Sequence, residues 1–70
     1  MIAMLRIEID REEDGRGIAE LPALPGVITY GASEAEAHAK VKALALHVIA
    51  DRLENGEELP QEIAAVFEAA

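Results

Sequence analysis

From Ser33 to Glu54 the chain contains no glycine and no proline, and Asn55-Gly56 follows at once. Ser33-Glu34-Ala35-Glu36 has the S-x-x-E spacing of a capping box. The serine hydroxyl satisfies a free amide at the helix start, and the glutamate reaches back. Glu34 and Glu36 complement the positive end of the helix dipole. Asn-Gly supplies the stop. The run predicts one helix of about five to six turns, long for a chain of 70 residues. Its apolar stripe runs through Ala37, Val41, Leu44 and Val48, widened by Ala45 and Ile49, with Lys40, His47, Asp51 and Glu54 opposite. Leu46 and Leu53 fall on a shoulder that a single sheet under the helix does not cover. A second subunit or the C-terminal tail would have to cover it.

The first half of the chain has a different period. Leu5, Ile7 and Ile9 alternate with Arg6, Glu8 and Asp10, as in a half-buried strand, and Ile2 and Met4 extend the pattern. Asp14-Gly15 is a turn signal, because both positions tolerate positive φ. Ile18 to Leu21 is the returning strand of a hairpin, and Gly17 marks a bulge. Pro22 and Pro25 cannot donate ladder hydrogen bonds, so the sheet must turn between them. Gly26 is free to take the backbone angle that such a turn requires. Val27 to Tyr30 is a third short strand, closed by Gly31. The Leu24-Pro25-Gly26 corner is primarily architectural, with a second use in presenting contacts to a partner. After the helix, Glu57 to Leu59 is read as extended. Residues 60 to 68 are read as a short helix with Ile63, Val66 and Phe67 inward. The expected fold is a single α+β domain over residues 1–70: a three-stranded antiparallel sheet packed by one long helix, plus a short C-terminal element.

A domain this small buries only about 60% of its unfolded surface. The chain has no cysteine, so neither a disulfide nor a thiolate metal site can brace it. Oligomerisation is another way to complete a small core, and a homodimer or higher homo-oligomer is expected. The N-terminus becomes charged after five residues, and no stretch approaches the roughly 20 apolar residues of a membrane span. The default expectation is a soluble cytoplasmic protein with no membrane partner.

Fourteen acidic residues oppose six basic ones, for a formal charge of −8. The basic residues are scattered, so direct nucleic-acid binding, which needs clustered Lys and Arg against phosphates, is not expected. Such acidity serves solubility, and it also suits a basic partner. Catalytic groups are sparse. There is one serine, already used as a cap, one threonine and no cysteine nucleophile. His38 and His47 stand nine residues apart, on opposite faces of the helix, and cannot share a metal within one chain. Glu8 and Asp10 share one strand face, with Glu12 and Asp14 just beyond. That cluster could hold Mg²⁺ or be an ordinary solvated face. Gly15-Arg16-Gly17 lacks the spacing of a phosphate loop. No catalytic residue, cofactor or metal site is assigned.

Residues 14 to 37, DGRGIAELPALPGVITYGASEAEA, resemble the signature of the HicB-like antitoxin family. The matching parts are the Asp14-Gly15 turn, the strand from Ile18 to Leu21, the Leu24-Pro25-Gly26 corner, the strand from Val27 to Gly31, and the capped helix opening with Ser33 and Glu36-Ala37. Asn55-Gly56-Glu57-Glu58-Leu59-Pro60 is similar to the ending that follows the family's long helix. The similarity spans about residues 5 to 61. Ile18 stands where the family usually has an aromatic, and Ala23 where it usually has an acid. The resemblance implies a truncated ribonuclease-H-like fold without the nuclease's active site, and oligomers. It implies a partner too: a small basic HicA-type toxin that cleaves mRNA and is neutralised by the antitoxin. The operator-binding module of many HicB proteins has no counterpart by residue 70, so transcriptional autorepression is not carried over. Under this reading Glu8, Asp10, Glu12, Glu13, Asp14 and Glu20 form a contact surface. Tyr30 is a contact, a dimer anchor or a core residue. The alternatives are an orphan oligomeric scaffold and a metal-dependent nuclease remnant built around Asp10.

Overall fold

The computed structural model describes residues 5–67. Strands β1 (Glu8–Arg11), β2 (Gly17–Glu20) and β3 (Ile28–Gly31) precede the long helix α1 (Glu34–Glu54). A short helix α2 (Gln61–Ala64) runs directly into a 3₁₀ turn, Ala65–Phe67. The strands form one antiparallel sheet in the order β1-β2-β3. The α+β architecture read from the sequence is therefore present, with one long helix on a three-stranded sheet and a short C-terminal helix. The proposed extension of the first strand through Ile2 and Met4 lies outside the described residues. Among the described residues, no helix is long and apolar enough to cross a membrane.

Local chemistry sets the element boundaries. At the first hairpin, the Gly15 N–H donates to the Glu12 carbonyl at 2.9 Å, and the Glu12 N–H donates to the Arg16 carbonyl at 2.7 Å. Between β2 and β3 the chain makes two successive turns. Leu24 N–H donates to the Leu21 carbonyl, and Val27 N–H to the Leu24 carbonyl. Pro25 and Gly26 occupy the central positions of the second turn. Gly26 has φ +89°, the positive value that the third residue of a type II turn demands. Leu24, shared by both turns, is fully buried. The corner thus serves as a hydrophobic anchor as well as a reversal.

Ser33 caps α1: its backbone is extended, and its hydroxyl accepts from the Glu36 N–H at 3.1 Å. The Glu36 carboxylate lies 3.0 Å from Lys40 Nζ. Hydrogen bonding and charge from Lys40, with a backbone hydrogen bond at Ala32, hold its carboxyl below the usual range. At the far end, Gly56 N–H donates to the Leu53 carbonyl and Glu57 N–H to the Arg52 carbonyl. That pair of bonds is the Schellman closure that ends many helices at glycine.

Gly17 is not a bulge. It keeps ladder register with Arg11 on one side and Gly31 on the other. A Cβ at Gly17 would stand 2.6 Å from Glu34 Cα and 2.7 Å from the Ser33 carbonyl oxygen. One at Gly31 would stand 2.5 Å from the Ala37 amide nitrogen. The two glycines form a bare patch on which the first turn of α1 rests, and this brings the helix close to the sheet.

The core consists of Ala19, Leu21, Leu24, Val27, Ala37, Val41, Ala45, Ile49 and Ile63. On α1 the buried line advances in steps of four, and Leu44 and Val48, read as central, are its half-buried flank. Small residues at the centre suit a helix held this close. α1 packs chiefly on β3 and β2, and little on β1. Consequently all four residues of β1 are exposed, Ile9 included, while Leu5 and Ile7 are half-buried ahead of the strand.

Residues 57–60 form no regular element, although Leu59 packs against the core. Among the described residues of the tail, only Ile63 is buried. Val66 and Phe67, expected inward, are exposed, because α2 gives way to a 3₁₀ turn after four residues. The tail leaves the shoulder open: Leu46 is 67% exposed and Leu53 54%.

Candidate functional site

Among the described residues, no element packs over the face of the sheet away from α1, and the register dictates what that face displays. Cross-strand partners share a face. One row across it reads Glu8, Glu20, Ile28; the next reads Asp10, Ile18, Tyr30. The surface is therefore acidic along β1 and apolar along β3, with Ile18 half-buried between. Glu8 and Glu20 face each other directly, an unfavourable like-charge pairing. A shallow depression is lined by Glu8, Asp10, Ile18 and Glu20, with Ile9 at its rim.

Of the residues singled out from the sequence, Glu8, Asp10, Glu20 and Tyr30 come together on this face. Glu12, Glu13 and Asp14 sit in the exposed hairpin turn at its end. Several of these carboxylates already have local partners. Asp14 Oδ2 lies 2.7 Å from Arg16 Nε, Asp10 Oδ1 accepts from the Arg11 N–H at 2.8 Å, and Glu8 lies 3.8 Å from Arg6. All these pairs are exposed, so they are weak and screened by salt.

Tyr30 is 65% exposed, which rules out the core role and leaves it as a contact or a dimer anchor. Ile18 and Ile28, plain strand residues in the sequence reading, belong to the same face. Their alternation with Ala19 and Thr29 was the available signal. Thr29 points to the opposite side, where its hydroxyl donates to the Ala37 carbonyl at 2.9 Å.

Among the described residues, no three His, Cys, Asp or Glu side chains converge on a point that could hold a metal ion. His38 is half-buried and His47 exposed, on different sides of α1. A second, apolar groove lies on the helix side, between Leu5 and Ile7 on one wall and Val41, Ala45, Leu46 and Ile49 on the other. Compared with family models, curated proteins and solved structures, the chain matches none.

Proposed function

We propose that the protein is a HicB-like antitoxin, a binding protein and not an enzyme, that neutralises a small basic toxin of the mRNA-cleaving HicA type. The observation that carries this reading is the open sheet face, where Glu8, Asp10 and Glu20 adjoin exposed Ile28 and Tyr30 and lead into the acidic turn at Glu12, Glu13 and Asp14. Two further features support it: the ordered motifs of residues 14 to 37 that resemble the family, and the β-β-β-α order of elements. On this reading the sheet and helix are a truncated ribonuclease-H-like unit used as a scaffold. The carboxylates steer a cationic RNA-binding surface into contact, and the tyrosine and isoleucine supply apolar area at the centre. The toxin is blocked because its RNA-binding surface is covered. The protein forms a homo-oligomer through the Leu46 and Leu53 ridge.

The test is affinity capture from native cell extract at low salt, repeated at high salt. A small basic protein should be recovered, be released as salt rises, and cleave RNA unless this chain is added back. Replacing Glu8, Asp10 and Glu20 with Lys should weaken capture, mostly through the association rate. Recovery of this chain alone would leave an oligomeric scaffold in place of the antitoxin. An affinity and salt dependence unchanged by charge reversal would remove the electrostatic part.

A further inference from the structure

The two outer edges of the sheet are not equivalent. In an antiparallel ladder, alternate residues turn both backbone groups toward the partner strand, and those between turn them outward. The bond from Glu12 N–H to the Arg16 carbonyl sets the phase for the first hairpin. Asp10 and Glu8 then bond to β2, and Ile9 and Arg11 point outward. The bond from Leu21 N–H to the Val27 carbonyl sets the phase on the other side, so Ile28 and Tyr30 point outward from β3.

The β3 edge is partly occupied from within the chain. Ile28 N–H donates to the Gly26 carbonyl at 3.1 Å, and Lys40 Nζ donates to the Tyr30 carbonyl at 3.4 Å. On β1, the Arg11 N–H is taken by Asp10. Ile9 is different: among the described residues, neither its N–H nor its C=O has a partner. Both groups of one residue, free on an open edge, are what an added antiparallel strand uses to form a two-bond pair.

We infer that the β1 edge binds an extended cationic segment of a partner protein as a fourth, antiparallel strand centred on Ile9. Charge decides the occupant. The residues flanking the central one fall opposite Glu8 and Asp10, so Lys or Arg there meets a carboxylate in each cross-strand pair. The central residue meets Ile9, whose side chain is 42% exposed on the helix side of the sheet, so an apolar residue belongs there. A second copy of this chain fits badly in the same arrangement, because Glu8 of one copy would face Asp10 of the other, twice. The inference rests on the proposal that the acidic surface binds a basic partner, and it specifies how.

The experiment is an NMR titration with a capped heptapeptide of alternating Lys and Val, and with its counterpart carrying Glu for Lys. Ile9→Pro is the matched variant. It deletes an outward N–H and leaves the β1–β2 ladder intact, as proline is tolerated at a sheet edge. The Lys peptide should shift β1 amides and slow hydrogen exchange at Ile9, the Glu peptide should do neither, and Ile9→Pro should weaken binding about tenfold. Amide exchange at Ile9 in the unaltered chain reads the same contact should the variant fold poorly. Shifts centred on Ile28 and Tyr30, the absence of saturable binding, or equal binding by Ile9→Pro would overturn the inference. So would protection of Ile9 that rises with protein concentration without peptide, which would assign the edge to a second copy. The two readings fail separately. A captured basic protein that Ile9→Pro binds normally sinks the strand-addition mode alone. Failure to capture any basic protein sinks the partner reading, whatever the peptide does.

Discussion

Gly17→Ala separates two opposed physical expectations. On backbone grounds the change should help, because glycine within a strand is about 0.5–1 kcal/mol less favourable than alanine, and Gly17 is not among the positive-φ glycines. The packing says otherwise. The new methyl carbon would sit 2.6 Å from Glu34 Cα, 2.7 Å from the Ser33 carbonyl and 2.8 Å from the Glu34 amide nitrogen. These are backbone atoms of a capped helix start and cannot swing aside. Reaching ordinary contact near 3.4 Å means lifting the first turn of α1 by about 0.8 Å. That would disturb the Ser33 cap and the contact at Gly31. Overpacking of this kind costs about 1–3 kcal/mol, against a total stability of roughly 3.5–10 kcal/mol for a chain this size. Set against the backbone gain, the net loss is about 1 kcal/mol, which lowers Tm by about 4–8 °C in so small a domain. Thermal and urea unfolding followed by circular dichroism measure it. Gly15→Ala is the control, since its Cβ meets nothing within 4 Å while its φ is +92°. It isolates backbone strain, at about 1–2 kcal/mol. A Gly17→Ala chain as stable as the parent would refute the close approach of helix and sheet.

Ile63→Ala should cost about 2–5 kcal/mol in urea unfolding, because Ile63 is fully buried, whereas Phe67→Ser should change little. Equal effects would mean that the tail is docked differently. Ser33→Ala removes the acceptor of the Glu36 N–H and should cost about 1 kcal/mol, read as a lower Tm with the same fold by circular dichroism. Lys40 and the backbone at Ala32 lower the Glu36 pKa in the folded chain. Its contribution is therefore present above the ordinary carboxylate range and is lost as pH falls through the lowered value. Glu36→Gln should lower stability slightly at neutral pH, leave it nearly unchanged at low pH, and so flatten the acid limb of the stability–pH curve. An identical acid limb would show that the Lys40 contact does not persist in solution.

The α1 boundaries were legible because capping is local chemistry: Ser33 and Gly56 act on amides and carbonyls within one turn of themselves. The first hairpin and the proline corner were legible for the same reason. The candidate face was half legible. Alternation placed Glu8 and Asp10 together, but their company of Glu20, Ile18, Ile28 and Tyr30 is a matter of register between strands, and short alternating segments do not state their pairing. Gly17 was misread because a bulge and a close approach leave the same residue in the sequence. The inward reading of Val66 and Phe67 assumed that the helical period would continue past Ala64, where the chain tightens into a 3₁₀ turn.

Element identity and order, the acidic balance and the turn positions follow from residue chemistry within a few positions, and these were settled in the linear chain. Where α1 lies was not. Its seat over β2 and β3, on the Gly17–Gly31 patch, buries Ala19 and, among the described residues, leaves β1 with exposed side chains and an outer edge at Ile9 that nothing pairs. Those exposures arise between residues distant in sequence, through packing and strand pairing, and so no local pattern could announce them.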